Sequence, residues 1–219
     1  MKTILCFGDS NTYGLIPGTE DRYDENTRWT GILNENLYSK GYRIIEEGLC
    51  GRTTIFDDRS RLGRNGSKIF SILLESHKPL ERVIIMLGTN DCKSYYNASA
   101  EEIGAGLEQL ICQVRDSSPD IKILIISPIF LGEEVWKKEF DPEFNQKSVE
   151  TSKKLKYVYE EIASRYGCSF LAASDVAKPS SRDQEHMDAK DHKKLAEAVL
   201  ESITKEEIES LDEKWKEIA

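Results

Sequence analysis

The chain has 219 residues, enough for one α/β domain that buries a sizeable core without disulfides. Its formal net charge is −9 and it carries no Lys/Arg stripe, which argues against a nucleic-acid role, because a phosphate backbone needs a basic footprint. Five cysteines (Cys6, Cys50, Cys92, Cys112, Cys168), odd in number and without a C-x-x-C pair, exclude a disulfide framework and a zinc knuckle; reduced thiols in a cytoplasm are the simpler account.

Short apolar runs alternate with amphipathic stretches along the chain. Ile4 to Phe7 is a strand candidate that ends at Gly8. Residues 13–28 form a polar loop containing glycine and proline. Trp29 to Ser39 places Ile32, Leu33 and Leu37 at helical spacing, and Tyr42 to Ile45 is a second strand. Lys68 to Ser76 is helical, and Arg82 to Leu87 is a third strand. Ala100 to Ser117 is a helix with Ile103, Leu107, Leu110, Ile111 and Val114 on one stripe. Ile121 to Ile126 is a fourth strand, stopped by Pro128. Residues 129–144 set Trp136, Phe140 and Phe144 among charges. Asn145 to Tyr166 is a long helix, Cys168 to Leu171 a short fifth strand, and Asp188 to about Lys216 a last helix.

The strands are continuous apolar runs, not alternating ones. Such strands are buried on both faces, as in a parallel sheet covered by helices. The β-α order gives a three-layer α/β/α sandwich around a mostly parallel five-stranded sheet, flavodoxin-like in its winding. We expect one domain over residues 1–219, with 203–219 as a helical extension. In such sheets ligands bind beyond the carboxyl ends of the strands. The loops 13–28 and 129–144 both leave such ends, so they are either pocket walls or ordinary surface loops.

Four polar clusters stand at that edge. Gly8-Asp9-Ser10-Asn11 follows the first strand; Ser10 there is either a nucleophile among backbone N–H groups or a helix N-cap. Gly48-Leu49-Cys50-Gly51-Arg52-Thr53-Thr54 follows the second; Gly51 either offers its N–H to an oxyanion or makes a tight turn. Gly88-Thr89-Asn90-Asp91 follows the third; the Asn90 side chain is an oxyanion donor or the head of an Asx-turn. Asp183-Gln184-Glu185-His186 precedes the last helix, and at that spacing the Asp183 carboxylate reaches one ring nitrogen of His186 and leaves the other for a serine. His77 and His192 lie in polar surroundings and are expected to be solvated. Together the four clusters supply a nucleophile, a base, a residue to orient the base and three oxyanion donors.

In this set of blocks the sequence resembles the SGNH, or GDSL-type, hydrolase superfamily over roughly residues 3 to 203. Arg28-Trp29-Thr30-Gly31, Glu46-Glu47-Gly48-Leu49, Arg52-Thr53-Thr54 and Met86-Leu87-Gly88-Thr89-Asn90-Asp91 resemble its bacterial arylesterase/acyltransferase branch. The resemblance implies Ser10 as nucleophile, His186 as general base and then acid, Asp183 as its orienter, and an oxyanion hole made by the N–H groups of Ser10 and Gly51 with the side chain of Asn90. It implies hydrolysis of small short-chain or aryl esters through an acyl-enzyme, with acyl transfer to an alcohol as a companion reaction. Carbohydrate O-deacetylase, thioesterase and lysophospholipase are alternatives within the superfamily; a non-catalytic flavodoxin-like binding module is the alternative outside it. Two positions depart from the pattern: Asn11, where Leu is usual, and Cys50, where Ser or Ala is frequent. Both are expected to change the pocket lining and leave the chemistry intact.

No cofactor is expected, since neither G-x-G-x-x-G nor a P-loop sequence is present, and no metal, since His and Cys do not cluster. No apolar run approaches a membrane span and the N-terminus lacks signal-peptide features, so a soluble cytoplasmic protein is expected. In the tail, Ile208, Leu211 and Trp215 make one helix face apolar. That face either covers the core or joins subunits, and related arylesterases form oligomers.

Overall fold

The computed structural model describes residues 1–218, with side chains through Glu206. Five strands form the sheet: β1 (Lys2–Gly8), β2 (Tyr42–Gly48), β3 (Arg82–Met86), β4 (Lys122–Ser127) and β5 (Ser169–Ala172). Six helices accompany them: α1 (Ser10–Tyr13), α2 (Trp29–Tyr38), α3 (Gly66–Ser76), α4 (Ala100–Ser117), α5 (Gln146–Arg165) and α6 (Ala189–Ile218). The strand order is β2-β1-β3-β4-β5 and every pairing is parallel. The winding reverses between β1 and β3, which is the switch point where this sheet type opens a crevice.

The apolar runs are continuous because successive side chains serve two cores. Leu5, Phe7, Val83, Ile85, Ile123 and Ile125 point to one face, where α3, α4 and α5 cover them. Their neighbours Ile4, Cys6, Ile84, Met86, Leu124 and Ile126 point to the other, beneath α2 and α6. A strand buried on both sides has no polar positions to alternate with.

Helix starts follow local chemistry where caps are present. Ser99 and Glu102 form a capping box on α4, and Asn145 and Ser148 form one on α5. The start of α3 departs from the expected Lys68. It begins at Gly66, whose N–H donates to the Thr53 carbonyl, while the Ser67 N–H donates to that of Thr54. Tertiary partners thus satisfy donors that no local pattern announces.

His192 corrects an expectation. It is fully buried, not solvated. It lies on the α6 stripe with Leu195, Ala196, Val199 and Ile203, and the helical spacing of that stripe was the available signal. Its Nδ1 accepts the Trp29 N–H at 3.4 Å, and burial, helped by the charge of His186, pushes its pKa down to about 3. His77 is half-buried rather than free, with its Nε2 2.9 Å from Glu47 Oε1. α6 continues without a break past residue 203, and Glu206 pairs with the buried Arg82 at the foot of β3 at 2.7 Å. The stripe of Ile208, Leu211 and Trp215 lies outside the residues whose side chains are described. Among the described residues, no helix is long and apolar enough to cross a membrane.

Candidate active site

β1 ends at Gly8, where a side chain would collide with Thr12 and the Met86 carbonyl. The chain turns at once into the short helix α1. Asp9 is its N-cap, its Oδ1 accepting the Asn11 N–H at 3.0 Å, and Gly14 ends it at φ 85°. Asp9 therefore fills the capping role that Ser10 was an alternative for. Ser10 takes the first helical position, and its hydroxyl turns to the crevice.

His186 arrives from the loop before α6. Its Nε2 lies 2.8 Å from Ser10 Oγ, and its Nδ1 lies 2.9 Å from Asp183 Oδ2. Asp183 is itself held. Its Oδ1 accepts the N–H groups of Glu185 and His186 at 3.1 and 3.0 Å, and its Oδ2 accepts that of Gly18, from the loop 13–28, at 2.9 Å. Burial works against the Asp183 carboxylate, but the hydrogen bonds and charge of His186 outweigh it and hold its pKa below the usual range. Burial likewise opposes the imidazolium of His186. The carboxylates of Glu185 and Asp183 overcome that and raise its pKa to about 9.

Gly51 and Asn90 line the same cleft as Ser10 and His186, a space of about 330 Å³. Gly51 sits at φ 82°, where a side chain would be strained and would collide with the Arg61 guanidinium. Asn90 is buried and donates one amide hydrogen to the Arg52 carbonyl at 3.2 Å, which fixes the amide and leaves its second hydrogen free for the cleft. Asp91 ties the third block to the second by accepting from the N–H and hydroxyl of Thr54. Arg52 stacks on Phe7 and donates to the carbonyls of Gly8 and Glu47, clamping the ends of β1 and β2. Burial lowers its pKa to about 10. Arg28 binds Glu46 in a two-pronged contact at 2.7 Å, and Trp29 donates its indole N–H to the Asn11 carbonyl. Four of the five expected site residues, Ser10, Gly51, Asn90 and His186, thus line one crevice, and the fifth, Asp183, stands behind His186 on its Nδ1 side.

Asn11 corrects a further expectation. It is buried away from the cleft. Its Nδ2 donates to the Glu185 carbonyl at 3.3 Å and its Oδ1 accepts the Met187 N–H at 3.0 Å. A leucine offers neither contact, so Asn11 ties the His186 loop to the Ser10 turn on both sides of the histidine. Cys50 does line the cleft. Cys92 is buried, with its thiol against the Gly88 carbonyl.

Several cleft residues are beyond the reach of motif reading. Arg61, Lys93, Asp141, Glu143 and Glu185 crowd its rim with charge. Arg61 is anchored by Asp58 at 3.0 Å, and Lys93, itself buried, is paired with Glu143. The loops 13–28 and 129–144 both serve as walls, the first through Leu15 and the second through Asp141 and Glu143, while Phe144 and Trp136 anchor the second to the core. Gln184 clips that second loop to the His186 turn. It holds φ 61°, its carbonyl accepts the Gly132 N–H, and its Oε1 accepts the Glu134 N–H at 2.9 Å. A second groove, about 570 Å³ and walled by Phe56, Tyr95 and Tyr96, shares Glu143 with the cleft.

A family model for the GDSL-like lipase/acylhydrolase family matches residues 6–196. The chain belongs to that family, and it is an esterase. Solved structures agree with the fold throughout. A native M. smegmatis aryl esterase matches with a TM-score of 0.86 and 32% identity, covering 94% of this chain and 99% of that one. A carbohydrate acetylesterase from Sinorhizobium meliloti matches at 0.85 and 36%, covering 93% and 99%. A putative arylesterase from Agrobacterium tumefaciens matches at 0.82 and 33%, covering 94% and 99%. Among curated proteins no match was found. The resemblance of the four blocks to this family therefore holds, as does the α/β sandwich expected from the order of strands and helices.

Proposed function

We propose that this esterase works by a serine mechanism on small carboxylic esters, with Ser10 as nucleophile, His186 as general base and acid, and Asp183 as the residue that orients His186. The observation that carries this reading is the unbroken chain of contacts from Asp183 Oδ2 through His186 to Ser10 Oγ, at 2.9 and 2.8 Å. His186 Nε2 takes the Ser10 proton as Oγ attacks the ester carbonyl carbon. The carbonyl oxygen becomes an oxyanion facing the N–H groups of Ser10 and Gly51 and the amide of Asn90. The tetrahedral intermediate collapses; the bond from carbon to the alkoxy oxygen breaks, and that oxygen takes the proton from His186 Nε2. Water then attacks the acyl-enzyme by the same route in reverse. An alcohol in place of water gives acyl transfer.

Ser10→Ala tests the assignment. A fluorophosphonate probe labels the native protein once and fails to label the variant, and turnover of p-nitrophenyl acetate falls by about 10⁴-fold or more. Labelling that persists in the variant overturns Ser10 as nucleophile.

A further inference from the structure

Glu185 is a carboxyl group with an unusual position. It lies beside His186 on the cleft wall, 7% exposed, with its Oε1 3.9 Å from His186 Nε2. Among the described residues, no N–H or O–H donates to its side chain, although its own backbone N–H and carbonyl are both engaged. Asp183, two residues away, shows the contrast. That carboxylate accepts three backbone N–H groups besides the imidazole. Burying a carboxyl group without donors is costly, so a buried one that faces a ligand space is a group waiting for a donor.

The place of that donor follows from the chemistry. Resting on the serine mechanism proposed above, the departing alkoxy oxygen collects its proton from His186 Nε2 and so sits within about 3 Å of it. Glu185 Oε1 is near the same nitrogen, hence on the leaving-group side of the cleft and not the acyl side. A hydroxyl on the carbon next to the ester carbon is held within about one hydrogen-bond length of the alkoxy oxygen, which puts it within reach of Glu185. We infer that Glu185 is a specificity-determining residue that accepts a hydrogen bond from a hydroxyl adjacent to the scissile ester, so that the preferred substrates are monoacyl esters of vicinal diols and polyols. The remainder of the rim suits such a leaving group, since Lys93, Asp141 and Glu143 offer further polar partners and little apolar surface. An alcohol with no second hydroxyl leaves the Glu185 carboxyl with only its charge contact to His186 and no hydrogen-bond donor from the substrate, and a site built to receive a hydroxyl discriminates against the analogue that lacks it.

The test is a matched pair of acetates, 2-hydroxyethyl acetate and ethyl acetate, which differ by the adjacent hydroxyl. The native enzyme is expected to favour the first by tenfold or more in kcat/KM, the effect of one hydrogen bond to a charged acceptor. Glu185→Leu brings the ratio near one, and Glu185→Gln, which keeps an acceptor oxygen and the size, leaves an intermediate ratio. Any effect of the substitution on the basicity of His186 acts on both esters and cancels in the ratio. A native ratio near one, or a ratio that Glu185→Leu does not change, overturns the inference while leaving the serine mechanism standing. Failure to hydrolyse either ester, together with failure of the fluorophosphonate to label Ser10, overturns both.

Discussion

The cleft has a floor and a rim, and the two are built differently. The floor comes from the ends of strands: Ser10 after β1, Gly51 after β2 and Asn90 after β3. Its polar groups are buried and held by backbone, as when the Arg52 carbonyl fixes the Asn90 amide. The rim comes from loops and carries charges that meet other charges, namely Arg61 on Asp58, Lys93 on Glu143, and Glu185 facing His186 at 3.9 Å with no hydrogen-bond donor of its own. A group held by a strand end cannot move without disturbing a two-faced core, whereas a loop side chain can be replaced with only local cost. The difference teaches that, under the proposed mechanism, a floor of this kind serves the reaction and a rim of this kind the choice of substrate.

The comparison can be broken at the floor. After Ser10, the largest expected effect is that of Asn90→Ala, which loses roughly 10²-fold in kcat, about 3 kcal/mol of barrier, for every ester tried. Steady-state kinetics on several leaving groups check it. A loss confined to one substrate class makes Asn90 a rim-like residue and dissolves the distinction.

The pH profile measures how far the charge of the rim reaches the base. In the proposed mechanism His186 must be neutral to accept the Ser10 proton, and its pKa is raised to about 9 by Glu185 and Asp183 against the burial that opposes them. kcat/KM for a short acetate is therefore expected to rise about tenfold per pH unit below that value and to level off above it. A plateau already reached by pH 7 shows that the carboxylates do not act on the free enzyme in this way.

The smallest expected effect sharpens the boundary between floor and rim. Asn11 lies under the floor yet grips the loop that bears His186. Asn11→Leu leaves the Met187 N–H and the Glu185 carbonyl without their partner, which costs about 1–3 kcal/mol of stability, read from the midpoint of urea unfolding. Loosening the histidine loop also lowers kcat several-fold with little change in KM. Unaltered unfolding and unaltered kcat in this variant would falsify the bridging role of Asn11.

Much of this molecule is legible in its residues. The helix at Ala100–Ser117 has the expected bounds because its stripe and its Ser99/Glu102 cap are both local. The strands are found within a few residues, since a doubly buried strand announces itself as an unbroken apolar run. The four blocks are visible because glycine, aspartate and asparagine mark the turns that follow strands. His192 is not so plain, because the lysines on either side of it conceal a helical spacing shared with Leu195 and Val199. Asn11 is visible as a departure from pattern, but its partners lie more than 170 residues away.

The sequence by itself determined the layered α/β architecture and which four turns carry polar chemistry. Both depend on periodicity and turn preference, which act over a few neighbouring residues. Only the tertiary structure decided which charges meet at the rim. Arg61, Lys93, Asp141 and Glu185 come from four separate segments with no shared period, and their common space exists only once the sheet has brought those segments to one edge. The Glu185 carboxyl is set apart in the same way. Its lack of a donor is a property of everything packed around it, which no stretch of local sequence contains.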